Sequence, residues 1–414
     1  MTAHAYYKKQ NPDIEQHEKV IYDMKGMAHK DNVSPNYKIK NGYYPTIINQ
    51  SVMHLLANGV GFSDPEIKKK FGGNFDGVLR SIAVDAKNSG VSYGFYNGKR
   101  LIHFPFFEFK AIPDDRTGAI VAGVRFTQID EKKPLFATLY ESDGYTEYIR
   151  KGNGLEVTQQ KTAYIINKIS NSVEGTYGVH GGNFSLLPIY PLYNVKHQSE
   201  IIGIQEILAS IDNVNSQLVN NIARGDIVYW VLKGYNGMTD LDDENFIINL
   251  YKSRVLHVEG ENCEVSPHQI EIPYEANETT AIRLKRMLFD SMSGVDTETL
   301  KAGNLTATAI NASFYGMRLN SAFMEYEVIE FILGLGRIAG ILEDDIKLSF
   351  TYFETVNETE TIQNIIASAP YITDETATRK ICETLGISDE FENIQKRKSA
   401  ESLERFSENY NTEE

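Results

Sequence analysis

Apolar positions change their spacing along the chain, and each change marks a boundary. Residues 12–30 begin acidic and close on "KGMAHK", which predicts a first helix. In "NYKIKNGYYPTIINQSVMHLLANGVGF" (36–62), Ile47, Ile48, Val52, Leu55 and Leu56 recur at helical spacing. Val78, Leu79, Ile82, Ala83 and Ala86 continue that spacing through 64–90. The period then shortens. "VSYGFYNGKRLIHFPFF" (91–107) reads as a hairpin around Asn97-Gly98, a strong tight-turn signal. More strand patterns follow in "AIVAGVRFTQI", "LFATLYES", "GYTEYIRK" and "AYIINKIS", separated by Gly, Asp and Pro turns. "GVHGGNFSLLPIYPLYN" (178–194) reads as a Gly- and Pro-punctuated connector. The first part of the chain is therefore mixed α+β.

From Glu200 the pattern is helical again, with Ile204, Ile207, Leu208, Ile211, Leu218 and Ile222 three or four residues apart. Residues 226–274 form an insertion: a strand-like "DIVYWVLKGY", a helical "DDENFIINLYKSRV", then "VLHVEG" and "HQIEIPYE". A second helix, about 275–293, carries Ile282, Leu284, Leu288 and Met292. Helices on both flanks predict a side-by-side pair presenting the insertion at one end. A long helix from Thr306 to Ile341 would span about 50 Å, with Gly334, Gly336 and Gly340 softening its end. "IKLSFTYFE" (346–354) is a lone strand that needs an earlier partner. Residues 357–414 read as helical and acidic, with a disordered composition at the very end.

Composition narrows the class. The chain has 414 residues, 42% hydrophobic and 23% charged, enough for substantial cores in two or three domains. No apolar run approaches membrane-spanning length and the first residues lack a signal-peptide pattern, so a soluble protein made inside the cell is expected. Cys263 and Cys382 form no close pair, which fits a reducing compartment. A formal charge of −15 argues against a basic nucleic-acid grip. It permits a channel whose like-charged wall lets a polyanion slide.

Catalytic and nucleotide motifs are missing. "GFYNGKR" (94–100) is a residue too short for a phosphate-binding loop, and no HExxH or GxSxG occurs. Asp242, Asp243 and Glu244 open a predicted helix, where acids favour the macrodipole; an exposed acidic cluster also suits a protein partner. Arg283, Lys285 and Arg286 read as a solvated helix face, or as a ring of positive charge once copies assemble. The segment Leu300, Lys301, Ala302, Gly303, Asn304, Leu305 and Thr306 joins two helices without a leading strand. That is no phosphate cradle but a loop of small residues, with Thr306 and Thr308 as candidate caps. No metal or cofactor is called for.

The order of these blocks resembles the portal proteins of tailed double-stranded DNA bacteriophages, in particular the SPP1-type family, from about residue 18 to 405. "NYKIKNGYYPTIINQSVMHLLANGVGF" looks like the family's early block, although "LLANGVGF" departs from its Gly-Lys-Pro-like turn. "AKNSGVSYGFYNGKRLIHFPFFEFKAIPDD" resembles its hairpin, strand and Pro-Asp turn. "SEIIGIQEILASIDNVNSQLVNNI" is similar to the helix with a Leu/Ile-Asp-x-x-Asn core, here Ile211, Asp212 and Asn215. "LSFTYFETVNETETIQNIIASAPYITDETATRKI" matches the closing block, with Ile372, Thr373, Glu375 and Thr376 at its turn.

The resemblance implies the α+β portal fold and a non-catalytic ring, usually a dodecamer in the virion, at one capsid vertex. Residues 1–197 would be the wing, 198–225 and 275–295 the stem helices, and 226–274 the clip. Residues 296–308 would be the tunnel loop, 309–356 the long helix with a wing strand, and 357–414 the crown and acidic tail. Implied partners are double-stranded DNA in the channel, the terminase large subunit, head-completion or adaptor proteins, and the major capsid and scaffolding proteins, with no membrane. The ring would assemble in the host cytoplasm. Another virion structural or adhesin protein, and a metal-dependent DNA-processing enzyme, are the alternative readings.

Overall fold

A computed structural model describes residues 2–22, 27–31, 34–130, 132–152, 154–171, 177–224, 228–233, 264–269, 274–298, 307–353 and 358–399. The chain opens with α1 (Thr2–Tyr7) and α2 (Pro12–Gln16), Pro12 sitting at the helix start where its missing N–H costs nothing. The helix expected over 12–30 stops at Gln16. Val20–Tyr22 (β1) and Ala28–Lys30 (β2) pair antiparallel instead, with Val20 opposite Lys30. Val20-Ile21-Tyr22 is a β-branched and aromatic run, so strand preference overrides the weak helical pattern.

α3 (Tyr43–Leu56) carries the expected stripe, and β3 (Val60–Phe62) follows it. The stretch 64–90 is two helices, α4 (Pro65–Lys70) and α5 (Phe75–Ser89), broken at Gly72-Gly73. Gly90, at φ +88°, ends α5 in the left-handed conformation that glycine adopts without a Cβ penalty. β4 (Val91–Tyr96) and β5 (Leu101–Phe104) form the predicted hairpin, with Gly98 at φ +86° in its turn. The Asn97 carboxamide accepts the Lys99 and Arg100 N–H groups at 3.0 and 2.9 Å.

A five-stranded antiparallel meander comes next: β6 (Phe109–Pro113), β7 (Ile120–Thr127), β8 (Phe136–Glu141), β9 (Gly144–Lys151) and β10 (Gly154–Thr162). β10 escaped the sequence pattern because "LEVTQQKT" is polar and mostly exposed. The expected connector 178–194 is also largely strand. β11 (Ile165–Asn171) pairs with β12 (Tyr177–Gly182), while β13 (Ile189–Tyr193) joins β4. Pro191 is tolerated because β13 is the edge of the β13-β4-β5 sheet.

α6 (Gln205–Arg224) leads to β14 (Val228–Lys233), which pairs with β15 (Glu264–Gln269) before α7 (Tyr274–Ser291). Leu208 and Ile211 near the start of α6 share a core with Leu288, Phe289 and Met292 near the end of α7, so the two helices run antiparallel. Ile282, counted in the α7 stripe, is 56% exposed. α8 (Ala307–Ile338) is the long helix, and β16 (Leu348–Phe350) finds its partner in β3. α9 (Glu358–Ser368) and α10 (Asp374–Thr384) follow, and 391–399 is helical.

Two of the three glycines expected to soften the end of the long helix, Gly334 and Gly336, correct that idea; the third, Gly340, lies just beyond α8 at φ +70°. A Cβ on Gly334 would lie 2.4 Å from the Tyr190 ring, and one on Gly336 only 2.3 Å from Ile346 Cδ1. They let neighbours approach the helix closely. Three cores result. One packs α3, α4, α5 and β4 against Val328, Phe331, Ile332 and Leu335 of α8. The second joins α1 and α3 to the α6–α7 pair. A third, aromatic core lies between the hairpin and the meander around Phe104, Phe109, Tyr140 and Tyr164.

Candidate functional site: the helix pair, its strap and the base of the long helix

Three buried polar residues on α6 are spaced by four: Asp212, Ser216 and Asn220. Each meets a main-chain N–H of the extended segment 37–41. Asn41 N–H donates to Asp212 Oδ1 at 2.7 Å, Ile39 N–H to Ser216 Oγ at 2.9 Å, and Tyr37 N–H to Asn220 Oδ1 at 2.6 Å. The periods match physically. Four helical residues advance about 6.0 Å, and two extended residues about 6.6 Å. The segment is thus strapped along the helix in register.

Asp212 is fully buried and takes further hydrogen bonds from the side-chain amides of Asn11 and Asn41. Burial raises its pKa above the ordinary aspartate value, and these donors offset only part of the effect. The Ile211-Asp212 motif therefore marks the anchor of the strap. Ser216 and Asn220 escaped the sequence reading, yet polar residues at i, i+4 and i+8 on an otherwise amphipathic helix were the available signal.

At the entry to α6, residues 194–200 are welded to the end of α5. Lys87, 1% exposed, pairs with Glu200 at 3.1 Å. Glu200 N–H donates to Lys87 O at 2.9 Å, and Asn194 N–H to Gly90 O at 2.9 Å. Lys196 and His197 adopt φ of +63° and +54°, a left-handed pair that non-glycine residues adopt at a cost. The His197 ring stacks on Tyr193, with centroids 4.0 Å apart.

Beyond α7, the turn at 292–298 rests on α3. Gln50 Nε2 donates to Val295 O at 3.0 Å, and Val295 N–H returns a bond to Gln50 Oε1 at 3.3 Å. Lys285 reaches Asp296 at 3.0 Å, bonds Glu298, and lies over the Tyr43 ring. Burial pulls on the Lys285 ammonium, but the two carboxylates outweigh it and hold its pKa above the ordinary lysine value. Arg283 and Arg286 are exposed. The predicted basic trio thus divides into one tethered lysine and two solvated arginines.

α8 crosses this turn at Gly316, beside Ser293. Farther along, Ser321 Oγ and His54 Nδ1 of α3 are 2.8 Å apart, and the His54 ring packs near Tyr352. Tyr352 donates to Glu325 at 2.6 Å; burial and that carboxylate push its phenol up to about 12. At the far end Arg337 bonds Glu330 and Glu343, clamping α8 to the turn that follows it. Leu300, Lys301, Ala302, Gly303, Asn304, Leu305 and Thr306 lie outside the described residues, as do Asp242, Asp243 and Glu244. Thr308 falls inside α8 rather than before it.

One cluster superficially suggests nucleophilic catalysis. Ser92 Oγ and Asp85 Oδ2 both approach His103, at 3.0 and 3.4 Å, but through the same nitrogen, Nε2. A relay needs the two imidazole nitrogens to face different partners. This cluster holds a helix end to a hairpin. Among the described residues no group of His, Cys, Asp or Glu is arranged to hold a metal, and no helix is long and apolar enough to cross a membrane.

Comparison with known proteins bears on this arrangement. The sequence profile of the family described as "Phage portal protein, SPP1 Gp6-like" matches residues 1–403. The portal protein of Clostridium phage phiCD119 is 21% identical over 356 residues, covering 79% of this chain and 75% of that protein. Among solved structures, a chain from the virion of a native gene transfer agent particle is similar with a TM-score of 0.44 and 11% identity, covering 81% of this chain and 86% of that one. A chain from the neck of the native gene transfer agent particle, computed with C12 symmetry, gives 0.41 and 10%, covering 81% and 87%. By the family match, which runs nearly end to end, this chain belongs to the SPP1 Gp6-like family of phage portal proteins.

Proposed function

We propose that copies of this chain assemble into a closed ring, a dodecamer in the virion, that forms the DNA channel at one capsid vertex. The family match over residues 1–403 carries this reading. The mixed α+β body of residues 1–197 acts as the wing, α6 and α7 as the stem, and the insertion 226–274 between them as the clip. Residues 296–308 are the tunnel loop, α8 its lever with the wing strand β16, and 357–414 the crown. The protein conducts DNA and performs no catalysis. Packaging brings the terminase large subunit to the clip, where Asp242, Asp243 and Glu244 serve docking. Head-completion or adaptor proteins replace it later, while the capsid and scaffolding proteins surround the wing. Assembly proceeds in the host cytoplasm.

Physical features support these roles. A net charge of −15 disfavours adhesion of the chain to DNA. The antiparallel helix pair holds both ends of the insertion together. Leu300 to Thr306 face the channel in this reading, and α8, bonded to α3 through Ser321 and His54, ties their position to the wing. Negative-stain imaging of the purified protein tests the assembly. Rings with a central hole are expected; monomers under all conditions would refute it. Deleting 302–304 is expected to leave the ring intact while impairing packaging or genome retention, and normal packaging and retention would refute the loop assignment.

A further inference from the structure

α8 carries two apolar stripes. One faces the core through Met317, Met324, Val328 and Leu335. The other, Tyr315, Leu319, Phe323 and Tyr326, recurs at steps of four, four and three and is 69, 50, 52 and 72% exposed. At about 100° per residue this second stripe points almost opposite to the first, as a ridge roughly 16 Å long. A soluble chain gains nothing by keeping such a ridge in water.

The same chain carries an apolar hollow. A cavity of about 380 Å³ is lined by Tyr7, Val52, Met53, Val84 and Phe107, among others. An adjoining cavity of about 470 Å³ shares His4, Asn88 and Phe107 with it. Asn88 is 3% exposed and its Oδ1 has no hydrogen-bond partner in the chain. Met53 lines this groove, while the next residue, His54, faces α8. α3 therefore stands between ridge and groove, and one copy cannot seat its own ridge in its own groove.

We propose that the ridge of one copy docks in the groove of the next, giving a head-to-tail contact; this rests on the ring reading above. A pair of different, mutually complementary surfaces is what a heterologous, ring-closing interface requires. Charge favours a second copy as the occupant. Chains of charge −15 repel, so they meet best where acids are few or balanced. The groove presents Arg80, His4 and His103 around one carboxylate, Asp85, which is already hydrogen-bonded. Glu327 flanks the ridge, opposite in sign to Arg80 of the groove.

The test uses the full chain. The double variant Leu319→Ser/Phe323→Ser alters two half-exposed side chains, so its thermal unfolding, compared at a concentration where the parent is dissociated, is expected to stay close to the parent's. Its association is expected to weaken by about 100-fold or more, as for loss of central apolar anchors. A second measurement is positional. Met53→Cys and Phe323→Cys, combined in a Cys263→Ser/Cys382→Ala background, are expected to give covalent oligomers with a short bis-maleimide, and either single variant only background. Rings that persist in the serine variant, or rings whose double-cysteine variant links no better than the singles, overturn this contact and leave the ring reading standing. A parent protein that never forms rings overturns both.

Discussion

Asn220 pairs with the main chain of Tyr37 on both edges of its carboxamide. Tyr37 N–H donates to Oδ1 at 2.6 Å, and Nδ2 donates to Tyr37 O at 3.1 Å. The side chain imitates a neighbouring strand at the last rung of the strap on α6. Asn220→Ala leaves a part-buried donor and acceptor without partners, and is expected to destabilise the chain by about 2 kcal/mol. Asn220→Asp keeps the acceptor and should cost less. Hydrogen exchange separates a local effect from a global one: amides 37, 39 and 41 should exchange first in the alanine variant. Unchanged exchange there would mean that the strap is held by something else.

The buried pair at the entry to α6 is asymmetric. Lys87 is 1% exposed, whereas the Glu200 side chain keeps 23% exposure and has a second donor in Asn194 Nδ2 at 3.2 Å. Removing Glu200 strands a buried ammonium; removing Lys87 leaves a carboxylate that still reaches water. Glu200→Ala is therefore expected to lose about 3 kcal/mol, and Lys87→Met distinctly less. Urea unfolding of both variants measures the difference, and equal losses would contradict this ranking.

Acid acts on Asp85 with a definite sign. Burial pushes its carboxyl up, but hydrogen bonds from His103, the Phe106 N–H and Ser92 outweigh it and hold the group below the ordinary 3.8. A carboxyl depressed in the folded state stabilises fully above the unfolded value, and that contribution disappears as pH falls through the folded one. Asp85→Asn should therefore lower stability at neutral pH and flatten the loss of stability on acidification below about pH 4. Thermal unfolding at neutral and acid pH provides the comparison; parallel curves for parent and variant would remove Asp85 from the acid response.

Gly334 separates helix propensity from packing. Alanine at an exposed helix site would gain about 1 kcal/mol over glycine. Here the new Cβ would meet the Tyr190 ring at 2.4 Å, and that ring is held by hydrogen bonds to Glu330 and Arg337. Overpacking is expected to win, with a net loss of 1 kcal/mol or more. A rise in melting temperature would restore the view of Gly334 as a softening residue.

How much of this was legible depends on the range of the interaction. α3, the Asn97-Gly98 hairpin, α6, α7 and α8 were readable because their apolar spacing and turn chemistry are local. The need of 346–354 for an earlier partner was readable too, but nothing in "LSF" names Val60–Phe62 as that partner. β13 was hidden by Pro191, since the sequence does not reveal which strand lies at an edge. The strap was hidden differently. Its helix side is visible at 212, 216 and 220, whereas its other side is main chain, which any residue supplies. In the basic trio, Arg283 and Arg286 are exposed in the single chain, which fits both readings of them, and Lys285 is captured by Asp296 and Glu298 across a turn that local periodicity cannot foresee.

That division of the trio makes its members testable apart. Lys285→Glu would set a third carboxylate against Asp296 and Glu298 beside the Tyr43 ring, and is expected to cost about 2 kcal/mol while loosening the turn at 292–298. Arg283→Glu and Arg286→Glu change solvated side chains and should stay within about 0.5 kcal/mol of the parent. The alternative reading of the trio, a ring of positive charge in the assembly, which we propose would act on passing DNA, then has a clean readout in the two arginines alone. Altered packaging or ejection with unchanged melting temperature supports it. Normal packaging and ejection in the double reversal assigns both arginines to the solvated surface, whatever Lys285→Glu does, because the lysine variant disturbs the support of the following segment as well as the charge.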